Sequence, residues 1–260
     1  MVESLDMGRS EKFLGVLLLT LVTVSCVMQQ GKLAWRVKDM ALEKRPVVEL
    51  LGLNEELVLT IPTRTIQEMT LAHFRISRAA KIQSELFIID GDEPNAFAAR
   101  DSRGQRMIAI NLGMIKLIGN NAAEYAALIA HEAAHWAKGH VDAGQTRTNT
   151  LNAVGTLVGV GLSAAGIPAA GLLTGLGVDL VDSSFNRDQE READAVSIEY
   201  LIASGYDPWG AVALQEKFLT VDRGAHLSFL SSHPGGEERI ENLKTIIEGK
   251  MGALKVASPN

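Results

Sequence analysis

One stretch constrains this chain more than any other: Ala130-His131-Glu132-Ala133-Ala134-His135-Trp136. It follows a run from Asn121 to Ala130 that is rich in Ala and free of Gly and Pro, a composition that favours a helix. Positions four apart share one helix face. His131 and His135 can therefore aim imidazole nitrogens at one point, with Glu132 beside them to reach a water on a bound metal, the H-E-x-x-H arrangement. Five letters alone are weak, because two histidines on a buried helix also hydrogen-bond to backbone or carboxylate. A third ligand is offered by Glu190, in the Gly- and Pro-free stretch Asn186-Arg187-Asp188-Gln189-Glu190-Arg191-Glu192-Ala193-Asp194. Glu190 and Asp194 are again four apart, whereas Glu192 lies roughly 200° round the helix from Glu190 and should point elsewhere. Two His and one Glu leave the fourth tetrahedral position open, as catalytic zinc requires.

The pair H-E-x-x-H and E-x-x-A-D resembles the HtpX-like family of zinc metallopeptidases. That family includes the CAAX prenyl proteases, mitochondrial Oma-type proteases and periplasmic BepA-type proteins. Two further pieces match, Asn95-Ala96-Phe97 upstream and Ser232-His233-Pro234 with Glu238-Arg239-Ile240 downstream. The four motifs stand in family order between about Ser77 and Leu243. One small departure is Asn186-Arg187, where the family commonly has Ser-Arg; it leaves the ligands untouched. The resemblance implies an α+β, mostly helical fold: a zincin-like metallopeptidase domain with a small antiparallel sheet beside the active-site helix.

The N-terminus adds a second expectation. Arg9 and Lys12 precede an apolar core, Phe13 to Val24, too short to span a bilayer as a stable helix. It ends in Val22-Thr23-Val24-Ser25-Cys26, which resembles a bacterial lipobox, with Thr23 a less usual choice at its place. Residues 1–25 thus read as a lipoprotein signal peptide, with Cys26 as the lipidated residue. Cys26 is the only cysteine, so no intrachain disulfide can form. Val27, in place of Asp after the cysteine, fits sorting to the outer membrane. A formal charge of -6 argues against a nucleic-acid partner.

Residues 26–64 read as a tether and irregular leader, with Pro46 and Pro62 as breakers. Residues 65–252 form the expected metallopeptidase domain, and 253–260 a frayed tail. Apolar residues at 66, 69, 71, 74, 76, 79 and 82 predict an amphipathic helix over 65–82. Strands are expected at Leu86-Phe87-Ile88-Ile89, from Asn95, and over 107–111. Such a sheet can hold an extended substrate by strand addition; the resemblance places Asn95, Ala96 and Phe97 near that edge, while Phe97 taken alone reads more simply as core. His140, five residues after His135, lies roughly 140° round a continuing helix and reads as a helix-end residue, not a ligand. Residues 148–178 carry no charge. A single membrane span there would put His135 and Glu190 on opposite sides of a bilayer, so a pair of closely packed helices is the better reading, with Gly155, Gly159, Gly171 and Gly175 permitting near approach. Further helices are expected over 209–221, capped by Asp207, and over 237–251.

By resemblance, one Zn2+ sits on His131, His135 and Glu190, with Glu132 as the general base of amide hydrolysis. Asp194 orients a ligating histidine, Arg239 forms a salt bridge that positions the His233 loop, and His233 either stabilises the oxyanion or occupies the fourth zinc position. The expected partner is a polypeptide substrate, such as a misfolded protein of the bacterial envelope, met on the periplasmic side from a lipid anchor. A second function class stays open: a zinc-containing chaperone or assembly factor whose cleavage is incidental. Glu132 favours the enzyme, because a pure binding module has no need of a general base.

Overall fold

The computed structural model describes residues 34–52, 54–101, 104–144, 185–222 and 227–257. The signal segment, Cys26 and the uncharged stretch 148–178 lie outside the described residues. Among the described residues, no helix is long and apolar enough to cross a membrane.

The chain runs β1 (Ala34–Arg36), α1 (Val37–Met40), β2 (Val47–Leu51), β3 (Leu57–Pro62), α2 (Thr63–Ala80), β4 (Glu85–Ile89), β5 (Ala96–Arg100) and β6 (Arg106–Asn111). Next come α3 (Leu112–Ile118), α4 (Ala122–Ala137), α5 (Arg187–Ala203), α6 (Trp209–Asp222), α7 (Ser228–Ser232) and α8 (Glu237–Ala257). The expected α+β, mostly helical class is what forms. Two expectations at the ends are corrected. Residues 34–62, read as an irregular leader, contain three strands: β1 joins the main sheet and β2 pairs with β3 as a hairpin. Val48, Leu50 and Ile61 are buried, so alternation over short spans carried a strand signal that the prolines masked. At the other end, α8 continues past Gly252 to Ala257.

The main sheet has the order β1-β4-β6-β5. It was expected to be antiparallel, and two of its three pairs are, but β4 and β6 run parallel with Glu85 opposite Met107. The connection after β4 causes this, since it crosses to the far edge and leaves room for β6 to insert. It lies hard against the start of α3, where Gly113 N–H donates to Gly91 O at 2.8 Å. A Cβ on Gly113 would come 2.2 Å from the Asp92 carbonyl oxygen, so only glycine permits that approach. Asn111 pins the crossing: its side chain accepts from Asn95 N–H and from Met114 N–H, both at 2.9 Å.

The hub of the packing is α4. Asn121 caps it by accepting from Ala123 and Glu124 N–H, and every residue from Glu124 to Trp136 is buried. Its many alanines let neighbouring helices come close, and α2, α5 and α6 all pack on it. Trp136 ties it to the sheet by donating from Nε1 to Met107 O at 3.0 Å. The face of α2 turned to the core is Ile66, Met69, Ala72, Ile76 and Ala80. Leu71 and Phe74, counted as apolar positions in the sequence, face outward instead. Asp207 does cap α6, accepting from Trp209 N–H at 3.0 Å.

Candidate metal centre

Helix α4 presents His131 and His135 one turn apart, as their spacing requires. Helix α5 brings Glu190 opposite them. Its start is fixed by a capping box, in which Asn186 accepts from Gln189 N–H and the Gln189 side chain accepts from Asn186 N–H. Just before it, Phe185 N–H donates to Ser232 O at 3.0 Å, which ties the start of α5 to the end of α7. His233 is the next residue after α7. The loop expected to carry it begins there, and His233 is fully buried in it, with N–H donating to Phe229 O at 2.8 Å.

These elements bring four donors together. His131, His135, Glu190 and His233 are all buried, and one ligand atom from each lies within 4.8 Å of all the others. His131 Nε2 is 3.1 Å from His135 Nε2 and 3.2 Å from His233 Nδ1. Glu190 Oε1 is 3.0 Å from His233 Nδ1 and 3.2 Å from His135 Nε2.

Three imidazoles and a carboxylate form a donor set that suits zinc. Bonds of about 2.0–2.1 Å to a tetrahedral ion place its ligands roughly 3.3–3.4 Å apart. The spacing of 3.0–3.3 Å among these atoms is close to that. Neutral imidazole nitrogens so near one another repel unless a cation or a proton sits between them. The titration of the free groups points the same way. Burial and Arg239 both push the His131 pKa down, but Glu190 and Asp194 outweigh them and raise it to about 9. The carboxylates around His131 favour its charged form. Glu190 overcomes its burial and is held well below the usual carboxylate range by His131 and Arg239. His135 goes the other way, pushed well down chiefly by burial.

Glu132 is completely buried, with neither carboxylate oxygen hydrogen-bonded among the described residues. Burial raises its pKa above the usual value. His233 Nε2 is also without a hydrogen bond and lies 3.5 Å from Glu132 Oε1. Such buried groups call for a partner, and a cation with its water is chemically suited to that place.

Asp194 and Arg239 stand beside these four donors. Asp194 Oδ1 is 3.1 Å from His131 Nδ1, and the carboxylate accepts two bonds from Arg239, from Nε and from Nη2, both at 2.7 Å. Arg239 Nη1 stands 2.8 Å from Glu190 Oε2 as an ion pair without hydrogen-bond alignment. Asn95, Ala96 and Phe97 sit at and just before β5, the edge strand of the sheet. Phe97 packs with Ala34, Phe87, Ile89, Ala99, Met107 and Ala109, a cluster apart from the main core that holds Ala96 and Ala98.

Four residues at the centre were not singled out as part of it from the sequence. Phe185 stacks on the His135 ring at 3.6 Å between centroids, and Phe229 on the His233 ring at 4.4 Å. His140 touches His135, and Glu192 touches His140. Only Gly139 gave a signal, since a glycine directly before His140 can end the helix and turn the chain in a new direction.

Residues 61–247 match Peptidase family M48. Metalloprotease LoiP of Escherichia coli K12 is 31% identical over 150 residues, covering 58% of this chain and 57% of the relative. The beta-barrel assembly-enhancing protease of Escherichia coli K12 is 28% identical over 193 residues, covering 70% of this chain and 38% of the relative. Mitochondrial metalloendopeptidase OMA1 of Arabidopsis thaliana is 29% identical over 168 residues, covering 65% and 32% respectively. The chain therefore spans less than two thirds of the length of each of these relatives. With the match running through every element that builds the centre, the chain belongs to peptidase family M48.

Proposed function

We propose that this chain is a zinc-dependent endopeptidase. The observation that carries the reading is the convergence of His131, His135 and Glu190 on one point, with the Glu132 carboxylate, not hydrogen-bonded among the described residues, 3.5 Å from His233 at the same place. Zinc, when bound, supplies Lewis-acid polarisation of the scissile carbonyl and makes water acidic enough to attack near neutral pH. His131, His135 and Glu190 hold it. Glu132 takes the proton from the attacking water and delivers it to the leaving amine. Asp194 keeps the proton of His131 on Nδ1, so that Nε2 offers its lone pair to the cation. The free edge of β5, at Asn95 to Phe97, is the place for an extended substrate to add as a strand. The full chain is expected to carry about one zinc and to cleave an unfolded protein such as casein. Both properties should be lost in His131→Ala and Glu190→Ala; zinc-free wild-type protein that still cleaves would sink the proposal.

His233 closes the resting site. Its Nδ1 is as near His131 and Glu190 as those groups are to each other, which is the position of a fourth ligand. In the segment after it, Pro234-Gly235-Gly236, Gly236 takes φ +136°, a backbone conformation that glycine adopts readily. Replacing His233 with Ala should keep zinc on the other three ligands and raise casein cleavage. A role in stabilising the oxyanion predicts the opposite, a fall of about 10²–10³-fold.

The bacterial envelope is the proposed place of action, with envelope polypeptides as substrates. Support comes from the apolar segment ending in Ser25-Cys26 and from a relative named for enhancing β-barrel assembly. Lipidation of Cys26 would anchor the chain, firmly so with more than one acyl chain. The protein should then fractionate with membranes and become soluble in Cys26→Ala; equal solubility of the two would remove the anchor.

A further inference from the structure

His140 and Glu192 are not among the groups that converge on the metal centre, yet they are joined to it. His135 turns Nε2 toward the cluster and Nδ1 toward His140 Nδ1, 3.1 Å away. At the other end of its ring, His140 Nε2 lies 3.2 Å from Glu192 Oε2. The second oxygen of Glu192 is 2.6 Å from Lys138 Nζ. His140 is buried and the Glu192 side chain is about half exposed, so this chain of contacts runs from a buried ligand to the surface.

The protons along it can be placed. To bind a cation His135 must offer a lone pair at Nε2, which puts its proton on Nδ1. That proton can only be donated to His140 Nδ1, which must then be an acceptor. His140 therefore carries its own proton on Nε2 and donates it to Glu192, which as a carboxylate only accepts. Lys138 holds that carboxylate in place. Each assignment forces the next.

We propose that His140 and Glu192 form a positioning relay that fixes the tautomer and ring orientation of His135 as a metal ligand. The proposal rests on reading His135 as such a ligand and extends it outward. Local sequence builds the relay. Helix α4 stops at Ala137, and Gly139 takes φ +72°, a left-handed conformation that L side chains rarely adopt. The helix breaks there, and His140 comes against His135 instead of lying on the far side of a continuing helix. Glu192 lies on the flank of α5 away from Glu190 and Asp194, which aims it at His140. His131 and His135 are thus each oriented through Nδ1, the first by Asp194 directly and the second by an imidazole. A carboxylate in place of the imidazole at His135 Nδ1 would add a further negative charge to Glu132, Glu190 and Asp194. The imidazole supplies the acceptor without the charge and moves the carboxylate out to the surface.

The test is the zinc affinity of the full chain, measured by competition with a chelator, together with thermal stability of the metal-free form. Removing such an outer partner commonly weakens metal binding by roughly 10- to 100-fold. His140→Phe, which fills the space without an acceptor, should weaken zinc by about that factor. His140→Asn, whose amide oxygen falls near the place of Nδ1, should restore most of it. Glu192→Ala, at a half-exposed site where folding is safe, should weaken zinc several-fold alone and add nothing in the His140→Phe background. Unchanged affinity in His140→Phe and Glu192→Ala overturns the relay, whatever happens to stability. Equal weakening in the Phe and Asn variants overturns it too, since shape would then matter and the acceptor would not. His135→Ala separates the two levels: affinity surviving in that variant overturns the ligand assignment itself, whereas its loss there alone overturns only the relay.

Discussion

Replacing Glu132 with Gln should abolish cleavage while leaving both zinc and the fold in place. The change removes one charge and keeps the shape. A general base contributes typically about 10²–10⁴-fold, and an amide cannot take a proton from water, so casein cleavage should fall by at least that range. Stability should move little or rise. Neither oxygen of Glu132 makes a hydrogen bond among the described residues, so no bond is lost, and a buried neutral amide costs less than a buried charge. This combination sets Glu132 apart from the ligands, whose loss should remove the metal. In the wild type, burial raises the Glu132 pKa above the ordinary carboxylate value. The base works only when deprotonated, so activity should fall with falling pH, and from a higher pH than an exposed glutamate would give. Casein cleavage and zinc content measured side by side decide the matter. Cleavage unchanged in Glu132→Gln would end the proposed mechanism, and a coincident loss of zinc would recast Glu132 as a ligand.

The parts of this centre that were legible in the sequence are those a single helix dictates. His131 with His135, and Glu190 with Asp194, are each four apart on stretches whose composition favours a helix, so their shared faces followed from periodicity. The same rule sent Glu192 to another face, correctly, but could not say what waited there. The same rule turned His140 away from His135, because it assumes an unbroken helix and Gly139 breaks it; the expectation that His140 stands outside the converging donors holds among the described residues. The burial of His233 and the stacking of Phe185 and Phe229 depend on α7 docking against the start of α5, a contact between segments far apart in the chain that no local pattern encodes. In the sheet, strand positions were readable from apolar runs, whereas the parallel pairing of β4 with β6 was not. That pairing follows from the crossing of the connection after β4 to the far edge, with a close backbone approach at Gly113 that shows only once both segments are in place. The three strands before α2 were hidden for a related reason: Pro46 and Pro62 stand at the borders of the β2–β3 hairpin, where proline is tolerated, and were read as breakers of the whole region.

Arg239→Met should be the most destabilising single change at the centre. The guanidinium is buried and gives a two-pronged pair to Asp194 while standing 2.8 Å from Glu190 Oε2. Methionine keeps much of the volume but leaves two buried carboxylates facing each other and His131. Breaking a buried pair by removing one partner costs about 3–5 kcal/mol, because the remaining charge is uncompensated. Against a total stability typically of about 5–15 kcal/mol, that is a large fraction. The cost should depend on metal, since a dication on Glu190 compensates part of the charge that Arg239 leaves behind. Urea unfolding of the metal-free chain should therefore show the larger loss, and added zinc a smaller one. Arg239→Lys should rescue poorly, because a single ammonium cannot reproduce the planar fork that meets both Asp194 oxygens. Asp194→Asn placed in the Arg239→Met background should recover part of the loss by removing the stranded charge, although the same change in the wild type destabilises. That reversal of sign is what an ion-pair origin demands. If Arg239→Met unfolds within about 1 kcal/mol of the wild type without metal, the pair is not what holds α8 to the centre, and the packing of Ile240, Leu243 and Ile247 must carry that load instead.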